Sequence, residues 1–296
     1  MRARLARRRS GCSSQCPDID FGRRRMFRRS QRCRISVSDP MRCAMVAFAL
    51  CGFATPAAAY RPFDGTDAAV AKKGEMEIEL QPAGRLRDES GTSLIAPAWV
   101  VNYGLSEGWE AVFEGQGQTS LSPPGPTTLT AAGAFLKHVV VPGSLQDKTG
   151  PSVATEFGVL LPDSTGASGV GASFAAIVSE RWDWGTIHLN AETALTRDHH
   201  ADVFVGAILE GPSTWTVRPV AEIFYENDFG KMATISGLAG LIYRVNDDLS
   251  FDIGIRHALT NGHPVNEIRA GLTFGFPLSL LEAHGSHRER SSDLPR

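Results

Sequence analysis

One way to build an acyl hydrolase on a membrane strand is to set a histidine and a serine two residues apart. Both side chains then share a face, the ring can take the hydroxyl proton, and a nearby polar group orients it. His188 has Asn190 at that spacing, and no neighbouring strand supplies a His-x-Ser pair; no Gly-x-Ser-x-Gly occurs either. His199 and His200 are adjacent, and adjacent strand residues point to opposite faces, so they cannot share a metal ion and read as a polar loop. The Gly-x-Gly spacing in PDSTGASGVGAS precedes no helical pattern, which removes the dinucleotide reading. All five cysteines, Cys12, Cys16, Cys33, Cys43 and Cys51, lie before residue 60, so nothing downstream can be a thiolate site or a disulfide. No catalytic residue, cofactor or metal is expected. The chemistry that remains is that of charge.

Charged side chains recur at every second position of several stretches. Glu75, Glu77 and Glu79 oppose Met76, Ile78 and Leu80; His188, Asn190 and Glu192 oppose Ile187, Leu189 and Ala191. Arg218, Glu222 and Glu226 share one face of 215–227 while Trp215, Val217, Ala221, Ile223 and Tyr225 share the other. Asp252 and Arg256 oppose Phe251, Ile253 and Ile255, and in NEIRAGLTFGFP Glu267, Arg269 and Gly271 oppose Ile268, Ala270, Leu272, Phe274 and Phe276. With Glu114 and Glu156 added, these polar positions form one expected lining set. Either a sandwich with one wet face or a barrel with lipid outside and a polar lumen would produce this alternation.

Length decides between them. From Glu75 onward the rhythm is about ten alternating residues followed by turn residues, giving candidate strands at 75–86, 93–105, 109–120, 128–140, 152–161, 169–180, 186–197, 202–210, 215–227, 234–244, 249–259 and 266–276. Sandwich strands run about five or six residues, whereas a tilted strand crossing a bilayer needs about 9–11. Aromatics such as Trp99, Tyr103, Trp109, Trp182, Trp184, Trp215, Tyr225, Tyr243 and Phe276 gather at element ends, where headgroup girdles would hold them. The expected fold is all-β, an antiparallel up-and-down transmembrane barrel of about 12 strands over 75–276. Stretches 128–140 and 234–244 alternate poorly and leave their faces open. The outward connections reach only about seven residues, so no long plug or receptor loop is expected.

The start of the chain reads differently. Residues 1–40 hold twelve Arg and no Lys, without apolar periodicity, and are expected to be a mis-assigned start or disordered. A basic nucleic-acid arm and a twin-arginine signal at Arg24-Arg25-Met26-Phe27 are the alternatives. Residues 41–59 combine Met41, Arg42, an apolar run over 44–54 and Ala57-Ala58-Ala59, the layout of a secretory signal peptide cleaved after Ala59. Residues 60–74 then form a periplasmic N-terminal segment, and 277–296 a charged tail. From Tyr60 onward the chain carries 17 Lys+Arg against 29 Asp+Glu, a net of −12, which disfavours nucleic acid.

The end of the last strand carries a resemblance. Arg269, Gly271, Phe274 and Phe276 match the polar-x-Gly-x-x-aromatic-x-aromatic signal that outer-membrane barrels present to the barrel assembly machinery, although twenty residues follow Phe276 here. Residues 60–277 resemble the outer-membrane β-barrel transporters of the MetA-pathway of phenol degradation family, through LIAPAWVVNYGLSEGWEAVFEG and its echo LAGLIYRVNDDLSFDIGIRHAL. That resemblance implies a cell outer membrane location, contact with outer-membrane lipid, and passage of small solutes, often hydrophobic or aromatic. A structural or adhesive barrel without transport and an outer-membrane acyl hydrolase remain as alternatives. Whether the lining charges order a passing solute or pair with one another to hold the lumen shut stays open.

Overall fold

Twelve antiparallel strands close on themselves, each paired with its sequence neighbour and the first with the last. A computed structural model of the chain describes residues 61–165 and 167–278. The expected leader over 1–40, the expected signal peptide over 41–59 and most of the expected tail over 277–296 lie outside the described residues. The strands are β1 (Glu75–Asp88), β2 (Gly91–Ser106), β3 (Trp109–Ser122), β4 (Pro124–Val141), β5 (Ser152–Leu160), β6 (Gly171–Trp182), β7 (Gly185–Leu195), β8 (Ala201–Glu210), β9 (Val217–Asp228), β10 (Met232–Arg244), β11 (Leu249–Thr260) and β12 (His263–Pro277). Closure satisfies every strand edge, which a bilayer demands because it offers no water to unpaired backbone groups.

The alternation read from the sequence becomes two surfaces. Ile223 is 67%, Ile255 62% and Ile235 61% exposed on the outer wall. Aliphatic and aromatic side chains continue this belt around the barrel through Phe113, Phe157, Phe174, Leu189, Val205, Leu241 and Ile268, all exposed. Water does not tolerate so large a continuous apolar surface, and hydrocarbon does. The opposite positions face inward and are largely buried. Trp184 and Trp215 flank the belt at one end, with the Trp182 and Trp184 rings stacked 5.3 Å apart.

Two strands depart from simple alternation, for different reasons. Ala131 adopts φ 54° where the β3–β4 register slips between Glu114 and Gln116. This bulge moves the inward set of β4 from Thr128 and Thr130 to Gly133, Phe135, Lys137 and Val139. β10 alternates poorly because Leu238 and Ile242 face inward and are buried, at 4% and 0% exposure. Leu238 lies beside Pro62, described below. β4 also begins at Pro124 rather than at 128, since β3 and β4 extend together past the belt to a turn at Ser122 and Pro124. At the β11–β12 turn, Asn261 and Gly262 both take positive φ, the geometry of a type I′ hairpin, and Thr260 pairs with His263.

The connections sort by end. β1–β2, β3–β4, β5–β6, β7–β8, β9–β10 and β11–β12 meet at the end away from Glu75 and Pro277; the others share the end of those termini. The longest connection at the far end is 161–170, longer than the seven residues expected. Residues 142–151 at the near end contain a single 3-10 turn, Ser144–Gln146.

Candidate functional site

The lumen is occupied. Residues 61–74, expected as a periplasmic extension, enter the barrel instead and run around its inner wall. Twelve strands about 4.8 Å apart and tilted about 40° enclose a backbone diameter of about 24 Å, and side chains leave about 14 Å of it clear. Fourteen extended residues reach about 46 Å, enough to round that space.

Followed from Gly74 back to Arg61, the segment meets the strands almost in their barrel order. The Gly74 N–H donates to the Gly104 carbonyl of β2 at 2.8 Å. Ala71 N–H donates to Glu110 of β3. Lys137 of β4 reaches the Thr66 hydroxyl at 3.2 Å and Asp67 at 3.5 Å. Ala68 N–H donates to Ser179 Oγ of β6 at 2.9 Å, while its carbonyl accepts from Gln146 at 2.8 Å. Asn190 of β7 accepts from Thr66 N–H at 3.0 Å and donates to the Thr66 carbonyl at 2.8 Å. Glu222 of β9 accepts from the backbone of Asp64 at 2.9 Å and of Gly65 at 2.7 Å. Arg269 of β12 donates to the Pro62 carbonyl at 3.0 Å and holds Asp64 at 3.3 Å. Arg61 completes the circuit with Asp252 of β11 at 3.4 Å and Gln81 of β1 at 2.7 Å.

Apolar contacts fill what the polar ones leave. Pro62 is fully buried, and a Cβ at Gly254 would lie 3.1 Å from its ring, so Gly240 and Gly254 make the hollow it occupies beside Leu238. Ala68, Ala154 and Ile177 form a dry cluster with Leu145 against it. Every strand supplies at least one inward side chain of 8% exposure or less, among them Glu79, Asn102, Glu110, Lys137, Ser152, Ser179, His188, Ile208, Glu222, Leu238, Asp252 and Thr273. The segment and these side chains together fill the lumen at this level.

The expected lining residues therefore fall into three groups. Asn190, Glu222, Asp252 and Arg269 hold the segment. Glu79, His188, Arg218, Arg256 and Glu267 bind one another or the wall: Asn102 donates to Glu79 at 3.2 Å, Arg218 meets Glu210 at 3.1 Å, and Glu267 meets Arg256 at 3.0 Å and Arg269 at 2.6 Å. Glu75, Glu77, Glu114, Glu156, Glu192 and Glu226 face inward with partial exposure. Glu75 stands at the rim opposite Pro277, and Glu156 sits opposite Lys137. Arg61, Asp64, Asp67, Glu110, Lys137, Ser179 and Glu210 were not singled out from the sequence. Gly271 also faces inward, where a side chain would collide with Arg61 and Asp252.

The search for a His-x-Ser pair on one strand overlooked a pair across two. His188 Nδ1 lies 2.8 Å from Ser179 Oγ, and its Nε2 lies 3.4 Å from Glu210 Oε1. The order serine, histidine, carboxylate matches a hydrolytic triad. Its setting does not, because Ser179 is fully buried and its Oγ already accepts from Ala68. An acyl group has no approach to that oxygen while the segment is in place.

Toward the far end the lumen opens into a vestibule of about 310 Å³. Arg197 pairs there with Asp163 at 3.5 Å, and Lys231 binds Asp198. The Lys231 ammonium holds that carboxyl below its usual range. Among the described residues no group of three or more His, Asp or Glu side chains gathers as a metal centre, and His199 and His200 sit in the β7–β8 connection.

No family model matches the chain, and no curated protein matches it in sequence. The MetA-pathway resemblance thus stands on its quoted motifs alone. Several solved structures are similar in fold. The KdgM porin aligns at 9% identity and TM-score 0.47 over 68% of this chain and 99% of its own. The NanC porin aligns at 9% and 0.49 over 67% and 98%. An outer membrane channel from Pseudomonas putida F1 aligns at 7% and 0.49 over 72% and 100%.

Proposed function

We propose that this protein is an outer-membrane channel for small solutes whose closed state is set by its own N-terminal segment. The observation that carries the reading is the mode of closure. A barrel kept solely as scaffold or adhesin can fill its interior with side chains of its own strands, whereas here the segment 61–74, which cleavage after Ala59 would leave attached at one end, supplies the filling. Such a segment can leave without breaking a strand pair. The connections at the far end are short, which argues against adhesion. The resemblance read from the sequence favours hydrophobic or aromatic solutes, and an acyl hydrolase is disfavoured by the buried Ser179. The assembly signal ending in Phe274 and Phe276 is assigned to recognition by the barrel assembly machinery.

A tether tests the gate. The Cβ of a side chain at Gly65 would lie 3.2 Å from Asn190 Cγ, so Gly65→Cys with Asn190→Cys brings two thiols within disulfide reach. The region after residue 59 has no other cysteine to interfere. In planar bilayers the oxidised double variant should stay silent, and reduction should restore conductance events at or above the frequency of the unmodified protein, because the two hydrogen bonds between Asn190 and Thr66 are gone. Equal conductance in both states would remove the segment as the gate. Silence of the unmodified protein, and of a variant lacking 60–73, would remove the channel itself.

A further inference from the structure

The vestibule at the far end has a charge problem that the protein does not solve by itself. Six carboxylates line it, Asp163, Glu192, Asp198, Asp202, Glu226 and Asp228, against Arg197 and Lys231. The two cations are committed, Arg197 to Asp163 and Lys231 to Asp198, with Lys231 a further 3.9 Å from Asp228 Oδ2. Asp202 and Asp228 stand directly opposite each other on β8 and β9, at 8% and 6% exposure. Like charges at directly paired strand positions repel, and buried charge without a counterion is costly. An independent sign points the same way: Asp228 Oδ1 is buried and no donor reaches it.

The surroundings say what kind of cation fits. The next inward row places Glu192, Phe204 and Glu226 side by side on β7, β8 and β9. The Phe204 ring packs over Gly206 and against Phe224, with centroids 5.0 Å apart, so the polar groups this row gives the cavity are the two carboxylates. Leu160, Ala194 and Met232 give the same cavity an apolar side. A bare divalent ion needs six to eight oxygens at about 2.3–2.6 Å, and these carboxylates are not gathered that tightly. The space of about 310 Å³ holds about ten water-sized groups, at the lower end of small-ligand sites.

We propose that this vestibule is a binding site for primary organic amines, with the ammonium group among Asp202, Glu226 and Asp228 and the hydrocarbon body against Leu160, Ala194 and Met232. Binding there is independent of whether the gate opens, so its failure and that of the channel reading are separable.

The probe is 2-phenylethylammonium, titrated calorimetrically into the full processed protein in a nonionic detergent, with 2-phenylethanol as the neutral isostere. The amine should bind at least about tenfold more tightly than the alcohol, the scale of one lost charge-assisted hydrogen bond. Asp228→Asn should weaken the amine by about tenfold and leave the alcohol unchanged. Lys231→Met, which removes the competing cation and keeps every carboxylate of the lining, should tighten the amine, and this variant keeps the test decisive if Asp228→Asn fails to fold. Equal affinity for amine and alcohol, indifference of the amine to both substitutions, or displacement of the amine by an equal concentration of calcium would each overturn the assignment.

Discussion

Glu222 accepts two backbone N–H groups of the segment from a position that is 1% exposed, so its loss should be felt first at the gate. Hydrogen bonds to a charged group contribute about 1.5–3 kcal/mol each, and every 1.4 kcal/mol is tenfold in a population. Glu222→Ala should therefore raise the open fraction in single-channel recordings by about a hundredfold or more. Glu222→Gln keeps one acceptor oxygen and should fall between. An unchanged open fraction in both would show that Glu222 does not hold the closed state. The inward facing of Glu222 was legible because its strand alternates cleanly. Its partners were not, because nothing in RPFDGTDAAV marks a segment for a lumen except Arg61, Asp64 and Asp67, and those charges suit a solvated tether equally well. Ser179 and His188 escaped for a geometric reason. Their pairing runs across β6 and β7, nine residues apart in sequence, where a search along one strand does not look.

At the scale of the strand, the alternation that made β7, β9, β11 and β12 readable is the division between lipid and lumen, and it can be tested on the lipid side. Ile255 lies on the outer wall of β11, well inside the apolar belt, and is flanked by Ala239 of β10 and Ile268 of β12. Ile255→Arg should destabilise the barrel by about 2–4 kcal/mol in bilayers, as charged residues do near the midplane. The measurement is the urea midpoint of folding into vesicles, followed by heat-modifiable migration on gels. A loss below about 1 kcal/mol would place Ile255 at an interface rather than in hydrocarbon. β4 and β10 were unreadable because their inward faces obey other demands. A bulge at Ala131 changes the period of β4, and β10 turns inward Leu238, beside Pro62, and Ile242 where the neighbouring strands present charge. Strand count and order followed from turn chemistry and survived both irregularities. The filling of the interior did not follow, since a strand pattern reports only that one face is shielded from lipid and says nothing of what shields it from water.

For the whole molecule, the sign of the lumen sets what can pass once the segment leaves. Removing 61–74 takes away Asp64 and Asp67 together with Arg61, Lys72 and Lys73, and the wall keeps its own excess: Glu79, Glu110, Glu156, Glu192, Glu210, Glu222, Glu226, Asp228, Asp252 and Glu267 against Lys137, Arg218, Arg256 and Arg269. Of those cations, Arg218 is bound by Glu210 and Arg256 by Glu267, while Glu222 and Asp252 lose the partners that the segment provided. A negative wall of low dielectric concentrates cations. The opened channel should therefore prefer cations and neutral solutes over anions, and reversal potentials under a salt gradient should show it. The preference should fade as salt rises, because screening shortens from about 10 Å at 0.1 M to about 3 Å at 1 M. Glu222→Gln with Asp252→Asn should weaken it in the variant lacking 60–73. In the intact chain the same pair should instead raise the open fraction, because these groups then hold Gly65 and Arg61 rather than face a solute. A clear anion preference in the opened channel would mean that the passing solute sees Lys137 and Arg269, now freed of Asp67 and Asp64, before it sees the carboxylates, and would reverse the assignment of the wall.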